Sequence, residues 1–376
     1  MAQFKLLMPG EPGPWFRQRS LSNPNYAFDT AAGRYIVLCF FGSARDHHSH
    51  AIIQAVAAHR GFFDDLKGCF FGVSSDPTDV SEARIADRYP GMRYLCDFDG
   101  AVGRLYGAIP FDAPADARGL PVRRMWVVLD PTLRVKTVVP FAADGSDIGE
   151  ILAYLDALPP PERFAGFEVP APILVLPDVF EPEFCAHLIG LYVAHGGTES
   201  GFMREVDGKT VAIHDHGHKR RKDYTIEDPN LVAETQRRVK RCVVPEIRKV
   251  HQFAVTRMER YIVSCYAAED GGHFRAHRDN TTKGTAHRRF AVSINLNSDF
   301  DGGEVCFPEY GSRGFKAPPG GAVVFSCSLL HAVSPVTRGR RYAFLPFLYD
   351  DEAAKIREAN NAYLGDGVSR YQGAEA

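Results

Sequence analysis

Three apolar runs, RYIVLCFFG (34–42), GCFFGVSSD (68–76) and RRMWVVLD (123–130), mark the first part of the chain. Runs this short and this continuously apolar predict strands buried on both faces. Between them, around 48–66 and 81–89, the apolar positions recur at helical spacing. Strands alternating with helices predict an α/β layered domain.

Five prolines crowd ALPPPERFAGFEVPAP (157–172). Proline fixes φ and removes a backbone donor, so this stretch is expected to connect two domains. Downstream, DVFEPEFCAHLIGLYVAHGG opens with an acidic residue and closes on glycines, the punctuation of a helix, and a second helix is expected over 229–250. From about 255 the texture changes to short alternating runs cut by Gly, Pro and Asp: RYIVSCYAA, RFAVSINLN, GEVCFPEY, AVVFSCSLLHAV and RYAFLPFLYD. That rhythm predicts a jelly roll or barrel. The expected division is therefore a first domain over 1–158, a linker over 159–172, a second domain over 173–350 with its β core at 255–349, and a tail over 351–376.

A chain of 376 residues exceeds what one core usually organises, in keeping with two domains. With 45% apolar and 24% charged residues it has a globular composition. A formal net charge of −2 argues against a surface built to follow phosphate backbones, so nucleic acid is not an expected partner. No apolar run reaches membrane-spanning length, and MAQFKLLMPGEPGPWF lacks the basic-then-apolar order of a secretory leader. The expectation is no membrane partner and a cytoplasmic location. Eight cysteines stand singly, mostly inside apolar runs, and read as buried reduced thiols.

The chemistry gathers in GGHFRAHRDNTT (271–282). Residues two apart in a strand share a face, so His277 and Asp279 are expected to project together. A third ligand, His331, lies in SLLHAVSPVTRGRRY. Two imidazoles and one carboxylate leave three coordination positions open, the pattern of non-haem Fe(II) oxygenases. Arg341, ten residues beyond His331, offers a planar fork for clamping a carboxylate. His214, His216 and His218 lack a fourth ligand at zinc spacing, so their segment is expected to be a mobile lid and its HKRRK run a solvated face, with steering of an acidic substrate or peptide toward the pocket as the sharper alternative.

From HFRAHRD through FDGGEVCFPEYG to PPGGAVVFSCSLLHAVSPVTRGRRY, roughly residues 172–349, the chain resembles the Fe(II)/2-oxoglutarate-dependent dioxygenases of the prolyl 4-hydroxylase-like group. The resemblance implies an α+β double-stranded β-helix (jelly roll), with His277, Asp279 and His331 as iron ligands and Arg341 holding the distal carboxylate of 2-oxoglutarate. It implies Fe(II), 2-oxoglutarate and O2, with ascorbate as a reductant. The implied reaction is hydroxylation of an unactivated C–H in a peptide or a small amino-acid-like molecule; desaturation or cyclisation of a small metabolite is the alternative outcome. Relatives carry a tyrosine three residues before the first histidine, where this chain has Phe274. Tyr266 and Ser293 are the candidates to replace its hydroxyl.

Residues 5–158 resemble the peroxiredoxins, implying an α/β thioredoxin-like domain. The likeness rests on GRYIVLCFFG, FFGVSSDPTDVSEARIADRYP, YLCDFDGAVGRLYGA and RRMWVVLD, with Arg124 at their arginine. Gly42, Asp46 and Ser49 stand where those enzymes need a proline, a threonine and the peroxidatic cysteine. A serine cannot reduce peroxide, so no peroxidase activity is expected. Docking or homodimer formation is one expected use of this domain, and a structural brace is the other. A non-enzymatic adaptor is the reading of another class, and it leaves His277, Asp279, His331 and Arg341 without a purpose.

Overall fold

The computed structural model describes residues 3–113, 122–365 and 367–371. They form two compact units: one runs to Pro170 and takes in Pro308–Ser312, the other comprises Ala171–Phe307 and the chain from Arg313.

The first unit is built on a five-stranded sheet of β1 (Tyr35–Gly42), β2 (Gly68–Ser74), β3 (Met92–Cys96), β4 (Met125–Leu129) and β5 (Val135–Pro140), in the order β3-β2-β1-β4-β5. β1, β2 and β3 are parallel, and β4 and β5 antiparallel. With helices α1 (His47–Ala58) and α2 (Ser146–Asp156) this is a βαβ half followed by a ββα half, the thioredoxin-type arrangement. β1 and β2 are almost continuously apolar because both of their faces are covered. The helix expected over 48–66 stops at Ala58. The one expected over 81–89 does not form: a single helical turn, Thr78–Ser81, ends at Ala83, whose φ of +52° leaves the helical region. The Arg84 guanidinium turns back onto the Asp79 carboxylate (2.8 Å) and fixes that exit.

In the second unit, α3 (Pro182–His195) ends at Gly196 in the left-handed conformation, as its terminal glycines predict. Residues 229–250 form two helices, α4 (Pro229–Cys242) and α5 (Val244–His251), because Pro245 cannot supply an interior helical N–H. The larger sheet carries β9 (Lys222–Thr225), β10 (Arg257–Glu259), β11 (Ile262–Ala267), β13 (Phe290–Asn295), β18 (Arg340–Phe344) and β19 (Phe347–Tyr349), in the order β10-β19-β13-β18-β11-β9. β16 (Ala322–Ser326) pairs with β13. The smaller sheet runs β8 (Lys219–Arg220), β12 (His273–His277), β17 (His331–Val333), β14 (Val305–Cys306), β15 (Gly314–Phe315). A hairpin of β6 (Phe202–Val206) and β7 (Lys209–Ile213) precedes β8.

Strand alternation decides what each face holds. On β11, Val263, Cys265 and Ala267 join the core containing Phe184, Leu188 and Tyr192 of α3, while Ser264 and Tyr266 face the other way, into the jelly-roll interior. Tyr266 meets Phe274, Phe300, Val333 and Val336 there, joining the two sheets. Asp351–Ala359 is a helix, capped by the Asp350 side chain, where the sequence reading placed only a tail.

Candidate metal centre

His277 ends β12 and His331 begins β17, directly opposite it in the ladder. A register shift between Phe274 and His277 sets that pairing, a bulge that re-aims the end of the strand. Asp279 lies past the end of β12, so the shared face of a strand is not what places it. Its backbone N–H donates to the Cys327 carbonyl (3.0 Å), and this holds the turn that brings the carboxylate back.

The Asp279 carboxylate stands 3.6 Å from His277 Nε2 and 3.3 Å from His331 Nε2, and one ligand atom of each residue falls within 4.8 Å of the others. Three ligands about 2.1 Å from one ion and at right angles to each other would lie about 3 Å apart, so the set is close to the facial geometry of a bound metal. The two Nδ1 atoms face backbone carbonyls, Arg275 O at 2.8 Å and Leu329 O at 3.0 Å. A carbonyl only accepts, so both rings carry their proton on Nδ1 and present the Nε2 lone pair to the centre. Burial lowers the His331 imidazole to about 4, and His277 beside it adds to the effect. Burial alone would raise the Asp279 carboxyl, but His331 and His277 outweigh it and hold it well below the ordinary range. A His331 ring that sheds its proton readily and an ionised Asp279 carboxylate are what a divalent ion requires.

Arg341 is 1% exposed, on the interior face of β18. Nε donates to Asn295 Oδ1 (2.9 Å) and Nη2 to Ser293 Oγ (2.7 Å), while Nη1 is buried without a hydrogen-bond partner. A buried guanidinium with neutral partners and an idle donor fits a site that receives a carboxylate. The donor set and this idle donor together fit Fe(II) and 2-oxoglutarate.

Ser293 therefore already accepts from Arg341, and the Tyr266 hydroxyl accepts from Arg221 Nη1 (3.3 Å). Phe274 stacks on His277, ring centroids 3.5 Å apart. The HKRRK run corrects the expectation of a solvated face. Its residues alternate: Lys219 and Arg221 are buried, Arg220 and Lys222 exposed. The period-2 signal was present, but written in like charges it escapes a reading based on hydrophobicity. Of the other histidines, His216 pairs with Glu199 and His218 meets the Phe274 ring edge-on. Among the described residues the grouping suited to a metal is His277, Asp279 and His331.

In the first unit, Ser49 Oγ donates to Asp46 Oδ2 (2.7 Å), and Arg124 donates to Oδ1 of the same carboxylate (3.0 Å). His48 pairs with the buried Asp147 (3.0 Å) and His50 with Gln54. Burial pushes the Cys39 thiol well up, with Asp147 adding to it.

Residues 261–349 match the 2OG-Fe(II) oxygenase superfamily, and the second unit carries an oxygenase domain of that superfamily, whose cofactors are Fe(II) and 2-oxoglutarate. Among curated proteins the chain is similar to the PKHD-type hydroxylase PiuC of Pseudomonas aeruginosa PAO1, 37% identical over 91 residues. A PKHD-type hydroxylase of Pseudomonas paraeruginosa PA7 matches to the same extent. These alignments span 22% of this chain and 39% of each relative's length. Among solved structures, a prolyl hydroxylase from Trichoplax adhaerens aligns with 49% of this chain and 86% of its own (TM-score 0.39, 16% identity). Peroxiredoxin Q of Xanthomonas campestris aligns with 38% of this chain and 90% of its own (TM-score 0.32, 18% identity). Among the described residues no helix is long and apolar enough to cross a membrane.

Proposed function

We propose that this chain is an Fe(II)- and 2-oxoglutarate-dependent hydroxylase acting on an unactivated C–H of a peptide or a small amino-acid-like molecule, with succinate and CO2 as coproducts. The observation that carries the reading is the convergence of His277, Asp279 and His331, together with a buried Arg341 with a free donor in the same unit. When bound, the metal with 2-oxoglutarate and O2 supplies an oxidant strong enough to attack such a bond.

The chain's own part is placement. His277 and His331 hold their protons at Nδ1 on the Arg275 and Leu329 carbonyls, which keeps both Nε2 atoms aimed at one point. Asp279 contributes the negative charge. Arg341, held by Ser293 and Asn295, orients the distal carboxylate of the cosubstrate through Nη1. Phe274, Phe300, Val333 and Val336 form an apolar wall that excludes water.

Anaerobic addition of Fe(II) and 2-oxoglutarate tests the reading. A visible charge-transfer band should form in the wild type and vanish in His277→Ala, and a band of undiminished strength in that variant would end the assignment. Succinate release under O2, followed against candidate substrates, then tests the reaction.

A further inference from the structure

Two buried cations take no part in the chemistry above. Lys219 is 4% and Arg221 7% exposed, and both donate to the same hydroxyl, Ser200 Oγ, at 2.8 Å from Nζ and 3.1 Å from Nη2. The other hydrogen bond of Lys219 goes to the Gly201 carbonyl (2.6 Å). Arg221 donates to the Asp223 carboxylate (2.7 Å) and the Tyr266 hydroxyl, and its Nε is buried without a hydrogen-bond partner. Asp223 also receives the Ser264 hydroxyl (2.6 Å) and, at 3.5 Å, Arg260, 31% of whose side chain is exposed.

With Asp223 as the carboxylate bonded to Arg221, the buried pair carries an excess of one positive charge when Lys219 is an ammonium closed by neutral oxygens, and burial pushes that ammonium well below its ordinary range while no anion is present. Burying an ammonium on a hydroxyl and a carbonyl costs more than those bonds return, so such a group persists where an anion completes it. An excess of one charge suits a single carboxylate better than a dianionic phosphate. The position suits a substrate: Lys219 Nζ lies 5.0 Å from the centre of the Phe274 ring, which stacks on His277. Its hydrogen-bond partners are also not those of the cosubstrate clamp: Arg221 bonds Ser200, Asp223 and Tyr266, whereas Arg341 bonds Ser293 and Asn295, although both guanidiniums approach the Tyr266 ring, at 5.7 and 5.3 Å from its centre.

We propose that Lys219, Arg221 and Ser200 form a second anion site that takes the free carboxylate of the substrate, so that the enzyme acts on a small amino acid or a peptide C-terminus and not on a residue inside a chain. The inference rests on the oxygenase reading for the identity of its ligand as substrate. Its test is equilibrium binding by calorimetry to full-length protein loaded with Mn(II) and N-oxalylglycine, which fills the cosubstrate position. The probes are the twenty amino acids and Gly-Gly-Xaa peptides, each as free acid and as primary amide.

At least one acid should bind ten-fold or more tightly than its amide; which series contains it separates the free amino acid from the peptide end. Lys219→Met and Ser200→Ala should each weaken that acid at least five-fold and leave 2-oxoglutarate affinity within two-fold, while Lys219→Arg retains the preference. Thermal unfolding of each variant verifies that it is folded. Absence of any acid-over-amide preference overturns the proposal. So does a Lys219→Met protein that loses 2-oxoglutarate instead, since the cations would then belong to the cosubstrate. If the wild type gives no Fe(II)/2-oxoglutarate band yet prefers acids without metal, the oxygenase reading falls and the anion site stands.

Discussion

Replacing Arg341 by methionine should separate cosubstrate binding from folding. The substitution leaves Ser293 Oγ and Asn295 Oδ1 without their donors, at about 1–3 kcal/mol for each group left unsatisfied. It also removes a guanidinium whose burial costs several kcal/mol and whose Nη1 is idle. The two effects oppose each other, so the ligand-free protein should stay within about 2 kcal/mol of wild type. The contact to 2-oxoglutarate has no such offset: a lost charge-assisted hydrogen bond of about 2.7 kcal/mol weakens binding about 100-fold. Urea unfolding of the Mn(II)-loaded protein reads both quantities. At a 2-oxoglutarate concentration 100 times the wild-type Kd, the wild type gains about 2.7 kcal/mol and the variant about 0.4 kcal/mol. A variant stabilised by 2-oxoglutarate as much as the wild type would refute the role of Arg341. A variant unfolded without ligand would refute the claim that its burial is a cost.

Three further outcomes are expected. Tyr266→Phe strands Arg221 Nη1 and should lower stability by about 1–3 kcal/mol in denaturant titration, and unchanged 2-oxoglutarate affinity in that variant would exclude Tyr266 from the cosubstrate set. Burial alone would raise the Glu259 carboxyl, but Arg288, His287 and Arg357 outweigh it and hold it far below its usual range. As pH falls through the ordinary carboxylate range, the unfolded chain takes up a proton that the native state refuses, so stability conferred at neutral pH is lost from about pH 5 downward. Glu259→Gln should cost about 3–5 kcal/mol at pH 7 and flatten that acid limb in pH-dependent unfolding. Ser49→Cys should not restore a reactive thiol, because the Asp46 carboxylate beside it opposes a second negative charge. Thiolate absorbance against pH should place the new group above an ordinary cysteine, and Asp46→Thr in the same background should bring it down.

The strands were legible where their pattern is written in apolar residues. β1, β2 and β4 fall inside the runs that predict them, and the texture change near 255 marks the second sheet system. The grouping of His277, Asp279 and His331 was legible because ligand chemistry restricts residue type, although the pairing of His277 with His331 spans 54 positions and needs the tertiary ladder. What escaped has physical reasons. The 81–89 helix is overridden by a side chain, Arg84, that holds the chain in a turn, and local propensity carries no information about that contact. Lys219 and Arg221 escaped because burial of a charge is decided by what lies across from it, here Ser200 and Tyr266 from distant parts of the chain, along with Asp223, which directly follows HKRRK.

Buried charge in the second unit falls into two kinds, and the difference separates architecture from chemistry. Around Glu259, Arg288 reaches the carboxylate at 2.8 Å and stacks on Phe347, while Arg357 meets the same carboxylate, the Tyr349 hydroxyl and, with 24% of its side chain exposed, water. Each guanidinium there has a partner of opposite sign, and the cluster ties β10, β13's N-terminal approach and the C-terminal helix together without needing anything from outside. Arg221 and Arg341 are as deeply buried, yet each keeps a nitrogen with no acceptor, and Lys219 is held only by neutral oxygens. A fold that needed these cations for cohesion alone would lower its free energy by pairing Lys219 and Arg341 with carboxylates, as Arg221 is paired with Asp223, or by replacing them with apolar residues of similar volume. Their retention around two rings, Arg221 and Arg341 at Tyr266 and Lys219 at Phe274, which stacks on His277, is what anions arriving from solution would account for.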